Sequence, residues 1–333
     1  MTQNFEQTSI TDNFEGLLDD YQARMSTALK TGYNVIDEKS PLLQGLYLLG
    51  AMSSVGKTTF ALNVSANICK CGVPVLFVSY EEQKISIACK DFSRYWFLKN
   101  YADNGRGADY TPTAQEIKCR KIKADMFADY VENLAKWKEE HKNFYFFRGT
   151  IEPASKLIET IKLYVKEKGV KFVVIDYLQI IPAEQEEIKR RVQLRERIDS
   201  AVQKLKALQE ETGITLFIIS SFNRENYKEF VSFESFKETG GLEYSADGLF
   251  GLQFKFDKKE KRDGDKIQQK RGEYPRTIEF VCLKNRYGET YSVDFEFFTR
   301  HDTFAKVGDI KIPKENRKTA DNQQQENDDY DHE

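Results

Sequence analysis

One short stretch, AMSSVGKT at 51–58, combines residue types that bind phosphate groups. It fits the phosphate-loop pattern G-x-x-x-x-G-K-[ST] with alanine at the first position. Backbone N–H groups of such a loop, together with a helix N-terminus, bind the negative charge of a nucleoside triphosphate. Gly56 lets the backbone approach the phosphates, Lys57 reaches the β- and γ-phosphates, and the Thr58 hydroxyl is a ligand for Mg²⁺. The predicted nucleotide site comprises Ser53, Ser54, Val55, Gly56, Lys57, Thr58 and Thr59.

An acidic residue follows a run of four apolar residues farther along the chain. Phe172–Ile175 reads as a buried strand, and Asp176 comes directly after it. At the carboxyl end of a parallel strand an aspartate faces the bound phosphates. There it would hold Mg²⁺, directly or through water. Many strands end in aspartate, but the upstream phosphate loop favours the metal-binding interpretation of Asp176.

Hydrolysis also needs a group that orients or deprotonates the attacking water. Glu81 and Glu82 follow the strand predicted at 75–78, again at a carboxyl end. Either one is a candidate base, and either one could be an exposed loop carboxylate. The spacing does not choose between them.

Two further polar segments have both a functional and an ordinary interpretation. Ser220–Arg224 follows the strand predicted at 214–219 and could sense the γ-phosphate, or it could be a polar loop. Lys284 and Arg286 could stabilise charge in a transition state, and an arginine in such a role is worth about 10³–10⁵ in rate. Cations at a hairpin turn are otherwise usually solvated.

The elements that must position these residues alternate between strands and helices. Apolar runs predict strands at 46–49, 75–78, 144–147, 172–175 and 214–219. Apolar spacing predicts helices at 14–29, from 60 onward, across most of 83–142, at 154–168 and at 186–211. The later strands, at 249–256, 278–283 and 291–297, have a charged loop at 257–275 and a hairpin turn at 286–289. The fold class is therefore α/β, a mostly parallel twisted sheet flanked by helices, with antiparallel C-terminal strands.

Charge, hydropathy and cysteine spacing argue against several classes of protein. The 333 residues carry a formal net charge of −3, which argues against a uniformly basic nucleic-acid coat but allows a local basic channel. No run of 18 apolar residues predicts a membrane span. The five cysteines form no C-x-x-C pair, which favours a reduced cytoplasmic setting without structural zinc. The predicted organisation is an N-terminal linker helix at 1–30, one ATPase domain at 31–305 and a disordered acidic tail at 306–333.

Taken together, these segments resemble the C-terminal ATPase domain of the replicative hexameric helicases of the DnaB type, which has the RecA-like fold. Ile175–Gln179, IDYLQ, is the most specific match, and Val78–Glu81 resembles the segment that carries the family's catalytic glutamate. The resemblance therefore favours Glu81 over Glu82. The other matching segments are 31–33, 54–63, 220–224, 237–247 and 284–288.

The resemblance implies an ATP-driven motor that forms a ring, expected to be a hexamer, with single-stranded DNA in its channel and a loader or replication initiator as a further partner. Lys284 and Arg286 would act on the neighbouring subunit's nucleotide. Ser221 and Gln179 would sense the γ-phosphate. Four cations would contact DNA phosphates in the channel, or else be solvated: Lys189, Arg190, Arg191 and Arg224.

The sequence departs from the family pattern at three places. Ser221 stands where the family has glutamine, Lys237 stands where it has arginine, and the primase-contacting N-terminal domain is not expected within residues 1–30. Two other functions remain open. The first is a RecA-like ATPase that oligomerises and switches with ATP on DNA, or regulates, without unwinding. The second is a RecA-type recombinase, against which the IDYLQ match argues.

Overall fold

A central sheet of nine strands organises the described part of the chain. The structure is a computed structural model that describes residues 13–104, 110–150, 152–222, 229–239, 245–256 and 262–308. The strands are β1 Gly45–Ala51, β2 Val75–Ser79, β3 Phe144–Arg148, β4 Phe172–Asp176, β5 Thr215–Ser221, β6 Gly248–Phe254, β7 Arg276–Asn285, β8 Tyr291–Phe298 and β9 Thr303–Lys306. The helices are α1 Phe14–Ser26, α2 Asn34–Lys39, α3 Lys57–Lys70, α4 Lys84–Asn104, α5 Ala114–Lys118, α6 Phe127–Glu140, α7 Ala154–Lys168, α8 Gln185–Lys189, α9 Leu194–Thr212 and α10 Gly264–Gly272.

The strand order is β3-β2-β4-β5-β1-β6-β7-β8-β9. The first six strands in this order are parallel, and β7, β8 and β9 continue the sheet in antiparallel register. The carboxyl ends of β1, β2, β4 and β5 therefore lie at one edge of the sheet, where ligands bind in open α/β sheets. This arrangement confirms the predicted fold class.

The apolar runs that predict strands form the core. Every residue of β1, β2 and β4 is buried, as expected for parallel strands that are covered on both faces. Helix α3 packs against β1, β2, β4 and β5, and α9 packs against β1 and α7. Within the described residues, no helix is both long enough and apolar enough to cross a membrane.

Two predictions about local structure are wrong. The single helix predicted at 186–211 is two helices, because the chain turns after α8 at a left-handed residue, Arg191, with φ 53°. The N–H groups of Arg191 and Val192 donate to the carbonyls of Ile188 and Glu187, which closes the helix end. The charged loop predicted at 257–275 contains α10, whose N-cap Asp263 accepts a hydrogen bond from the Lys266 N–H at 2.9 Å.

The described ends of the chain are a helix on the N-terminal side and a strand on the C-terminal side. The predicted N-terminal helix is present as α1, and four of its apolar residues are exposed. Strand β9, which the sequence analysis does not predict, pairs with β8 and extends to Lys306. The remaining residues of the predicted tail, from 309 onward, lie outside the described residues.

Candidate functional site

The phosphate loop joins the carboxyl end of β1 to the N-terminus of α3. Gly56, the N-cap of α3, has φ 105°, and Ser54 has φ 66°, so the loop contains two left-handed residues. A Cβ atom on Gly56 would lie 2.8 Å from the Phe297 ring and 2.9 Å from the Phe304 ring. Those two rings are stacked with centroids 4.3 Å apart. Only glycine fits at position 56, both for its backbone conformation and for the space that the two rings leave.

The Lys57 ammonium lies inside the loop. Its Nζ donates to the carbonyl oxygens of Ala51 and Met52, at 3.0 and 3.1 Å. Burial lowers the pKa of Lys57 to about 8, although the negative charges of Asp176 and Glu81 act in the opposite direction. The loop thus places a cation beside the N-terminus of α3, where phosphate binding is favoured.

Asp176 and Thr58 face each other at the base of the loop. The Thr58 hydroxyl donates to Asp176 Oδ2 at 3.0 Å, and Asp176 is 1% exposed. Burial raises the pKa of Asp176 to about 7. The Thr58 hydrogen bond and Lys57 lower it, whereas Glu81 and Glu82 raise it further. A buried carboxylate with such a high pKa lacks enough positive charge around it, and Mg²⁺ prefers hydroxyl and carboxylate oxygens with nearby phosphates. The donor set therefore fits Mg²⁺.

Replacing Asp176 with asparagine is expected to stabilise the protein at pH 8 in the absence of nucleotide and Mg²⁺. The pKa of Asp176 in the folded protein, about 7, lies above its ordinary value of 3.8, so the folded state binds the proton more tightly. The contribution of this group to stability therefore falls as the pH rises from about 4 to 7. Above that window the asparagine should increase the free energy of unfolding by about 1–3 kcal/mol, as measured by urea denaturation.

At pH 4 the difference between Asp176→Asn and the unmodified protein should shrink, because the buried carboxyl is then protonated. The exposed Asp19→Asn on α1 is the control and should change stability at neither pH. Equal or lower stability of Asp176→Asn at pH 8 would show that other groups compensate the buried charge.

The structure distinguishes the two glutamates after β2. Glu82 forms an ion pair with Lys90, and its carbonyl oxygen accepts a hydrogen bond from the Arg148 guanidinium at 2.5 Å. Glu81 is exposed, and its carboxylate makes no hydrogen bond or ion pair with the described residues. It lies close enough to Lys57 and Asp176 to influence the pKa of both. Glu81 is therefore the carboxylate that is available to a water molecule at this edge.

The two predicted sensor residues contact each other. Gln179, just after β4, donates from Nε2 to Ser220 Oγ at 2.8 Å and to the Ser221 carbonyl at 3.1 Å. The Ser221 N–H donates back to Gln179 Oε1 at 3.3 Å. The ends of β4 and β5 are thus linked through one amide side chain beside the phosphate loop.

Lys284 and Arg286 lie at the opposite edge of the sheet. Asn285, between them, pairs with Gly248, which pairs with Tyr47 near the start of β1, whereas the phosphate loop follows the end of β1. Tyr47 and Ala51 are four strand residues apart, about 13 Å at about 3.3 Å per residue, and β7 lies two strands, about 10 Å, to the side of β1. The pair therefore cannot reach a nucleotide held by its own phosphate loop.

The three cations predicted to contact DNA, Lys189, Arg190 and Arg191, are all exposed where α8 ends. Lys189 pairs with Glu186 at 2.8 Å, which is a solvent-exposed contact. Arg224 lies outside the described residues. The predicted DNA-contacting residues are thus only partly described, and none of those described contacts the phosphate loop.

Sequence reasoning missed several residues that support the phosphate loop. Arg271 and Arg276 donate to the carbonyl oxygens of Ser53 and Ser54, at 3.5 and 3.2 Å. Asp302 accepts from the Thr59 hydroxyl at 3.3 Å. All of these supporting residues come from the C-terminal part of the chain, more than 200 positions away, so no local spacing signals them.

A family model, described as the DnaB-like helicase C terminal domain, matches residues 28–306 of the chain. The replicative DNA helicase DnaB of Buchnera aphidicola subsp. Baizongia pistaciae is 27% identical over 264 residues, which cover 74% of this chain and 52% of that protein. A probable plasmid replicative DNA helicase of Chlamydia psittaci is 22% identical over 291 residues, covering 84% of this chain and 56% of that protein. The chain spans about half the length of the curated relatives it matches.

Solved structures agree on the fold. A structure described as an ATPase domain superposes with a TM-score of 0.68 at 20% identity, covering 88% of this chain and 98% of that one. A DnaB-like replicative helicase, whose structure was described together with its interactions with primase, gives a TM-score of 0.67 at 20% identity and covers 92% of this chain and 68% of that one. Because the family model matches residues 28–306, which is most of this chain, the chain belongs to the family of the DnaB-like helicase C-terminal domain.

Proposed function

We propose that this protein is an ATP-dependent DNA helicase that hydrolyses ATP at subunit interfaces of a ring and moves on single-stranded DNA during replication. One observation carries the proposal. Lys57, Thr58, Asp176 and Glu81 meet at one edge of the sheet, and the cations Lys284 and Arg286 lie at the other. The names of its relatives support replication as the process.

In this mechanism the phosphate loop and Lys57 bind the β- and γ-phosphates. Thr58 and Asp176 would hold Mg²⁺, which neutralises charge that develops on the phosphate oxygens. Glu81 accepts the proton of the attacking water. Gln179 and Ser221, joined at the ends of β4 and β5, respond to the presence of the γ-phosphate.

The polarity of the sheet supports a site that is shared between subunits (a trans site). A second copy would have to present its Lys284 and Arg286 to the open side of the phosphate loop, which is a head-to-tail contact. Head-to-tail contacts close into rings when the rotation allows it, and we infer a hexamer. The exposed cations Lys189, Arg190 and Arg191, together with Arg224, would contact DNA phosphates, so binding should weaken steeply with salt. A loader or replication initiator would place the ring on DNA in the cytoplasm.

Replacing Glu81 with glutamine is expected to lower kcat for ATP hydrolysis by about 10²–10⁴, because general-base catalysis contributes that much. Nucleotide binding should persist, since the amide preserves the shape of the side chain and the phosphate loop is unchanged. Steady-state hydrolysis and equilibrium binding of a fluorescent ATP analogue measure the two effects. Glu82→Gln is the matched control and should retain most activity, because the Glu82 carboxylate is paired with Lys90. Full activity in Glu81→Gln would remove Glu81 from the mechanism.

The experiment that tests the function measures ATP hydrolysis with and without single-stranded DNA, together with unwinding of a forked duplex. The proposal expects DNA-stimulated hydrolysis and ATP-dependent strand separation. The short Ser221 side chain favours a second candidate, a RecA-like ATPase that switches with ATP on DNA or regulates without unwinding. DNA-stimulated hydrolysis without strand separation would select that candidate, and absence of ATP hydrolysis would overturn both.

A further inference from the structure

We infer that Asp247 is a positioning residue that holds Arg286 in the orientation needed to enter a neighbouring subunit's nucleotide site. This inference rests on the proposed function. Asp247 precedes β6 and is 2% exposed, whereas the side chain of Arg286 is 55% exposed. The Arg286 Nη1 donates to Asp247 Oδ1 at 2.6 Å. A buried carboxylate thus binds one end of a guanidinium whose other N–H groups make no hydrogen bond with the described residues.

Backbone hydrogen bonds fix Asp247 with respect to the start of β1. The Asp247 N–H donates to the Leu46 carbonyl at 2.7 Å, and the Leu46 N–H donates to Asp247 Oδ2 at 2.9 Å. The Arg286 N–H donates to the Asp247 carbonyl at 2.9 Å. Both the backbone and the side chain of Arg286 are therefore tied to one residue that is itself tied to the central strand.

Gly45 makes this placement possible. A Cβ atom at position 45 would lie 2.7 Å from Asp247 Oδ2, which is closer than real Cβ contacts allow. The start of β1 therefore needs glycine so that the carboxylate can reach the strand backbone. Lys206 completes the surroundings of the carboxylate, with its Nζ 3.3 Å from Oδ2, so that Oδ1 is left to Arg286.

The turn that carries Arg286 is also restrained. Asn285 Nδ2 donates to the carbonyls of Lys39 at 2.6 Å and Glu289 at 3.1 Å, and its Oδ1 accepts from the Tyr287 N–H at 3.2 Å. An exposed arginine normally loses much side-chain freedom when it binds a partner. With the turn fixed and Nη1 bound, most of that ordering precedes the contact, and preorganised charge of this kind lowers the barrier of phosphoryl transfer.

The test is Asp247→Asn in the full chain. We expect kcat for ATP hydrolysis by the assembled protein to fall about 10- to 100-fold, the size of loss that small misplacement causes, with KM for ATP and molar mass with nucleotide unchanged. The double variant Asp247→Asn/Arg286→Ala should be no slower than Arg286→Ala alone, because Asp247 acts only through Arg286. Asp91→Asn, which removes another buried and paired carboxylate in α4, the partner of Arg94 and His141, is the matched control, and the folded variant should keep its rate.

The outcomes distinguish failure of this inference from failure of the proposed function. Wild-type kcat in Asp247→Asn, with Arg286→Ala impaired, would overturn the role of Asp247 alone. An additional loss in the double variant would mean that Asp247 acts through the fold, which also overturns it. Wild-type hydrolysis by Arg286→Ala would instead overturn the trans site. If Asp247→Asn does not fold, Gly45→Ala decides the matter: lower kcat at unchanged KM supports the inference, and unchanged kcat contradicts it.

Discussion

Replacing Lys57 with alanine is expected to reduce ATP hydrolysis by at least about a thousandfold, because positioning and charge neutralisation supply nearly all the catalysis of phosphoryl transfer. The ammonium lies within the loop, bound to the carbonyls of Ala51 and Met52. The fold should persist, since burial already opposes the charge of Lys57 and lowers its pKa to about 8. Release of phosphate and the melting temperature measure the two effects.

Lys70→Ala is the matched control for Lys57→Ala, because it removes a cation from the other end of α3. Lys70 is exposed and pairs with Glu140 at 3.3 Å, so its loss should leave hydrolysis unchanged. If Lys57→Ala hydrolysed ATP within about tenfold of the unmodified rate, the loop would not be the site of phosphoryl transfer.

Replacing Arg286 with alanine is expected to lower kcat by about 10³–10⁵, the effect of removing an arginine from a phosphoryl-transfer site. Binding of ATP to isolated subunits should not change, because Arg286 lies at the edge of the sheet opposite the phosphate loop. Rapid-quench hydrolysis with single-stranded DNA and nucleotide titration at low protein concentration separate the two quantities. The combination of lost turnover and retained binding is what a residue acting on a neighbouring subunit must give.

Lys162→Ala is the control for Arg286→Ala. Lys162 is a partly exposed cation that pairs with Glu211 at 2.6 Å on the surface formed by α7 and α9, and its loss should not affect turnover. If Arg286→Ala instead weakened ATP binding by isolated subunits, the residue would act on its own subunit's nucleotide, contrary to the sheet register.

The elements that the sequence predicts accurately are those with strong local signals. Helix α7 begins and ends at the predicted residues. It ends there because Gly169, the next residue, adopts φ 66°, and Gly213 ends α9 in the same way at φ 65°. The sequence does not separate α8 from α9, because Arg191 occupies a left-handed position that glycine usually marks. Helix α10 lies in a strongly charged segment with a single buried residue, Ile267, so its periodicity is too weak to detect.

The residues of the candidate site also differ in whether the sequence alone can predict them. The phosphate loop is local in sequence, and Asp176 follows from the rule that the carboxyl ends of parallel strands meet. The choice between Glu81 and Glu82 on physical grounds needs three-dimensional contacts, because only the structure pairs Glu82 with Lys90. Asp247 could not be assigned a role in advance. Its partners Leu46 and Arg286 are 201 and 39 positions away, and the topology of the sheet brings them together.

Strand β1 connects the two functional edges within one subunit. It begins at the residues that hold Asp247 and ends at the phosphate loop. Each subunit of the proposed ring would therefore receive an arginine at one end of its central strand and supply one at the other. Because every site would need two chains, variants with different defects should complement each other when they are mixed.

The central claim, that the active site is shared between subunits, is tested most directly by mixing Lys57→Ala with Arg286→Ala protein and measuring ATP hydrolysis. Each variant alone should be inactive. In an equal mixture, about a quarter of the head-to-tail interfaces would combine an intact phosphate loop with an intact arginine, and hydrolysis should return in proportion. A mixture that stays inactive at every ratio, although mass measurements show that mixed rings form, would contradict the shared site.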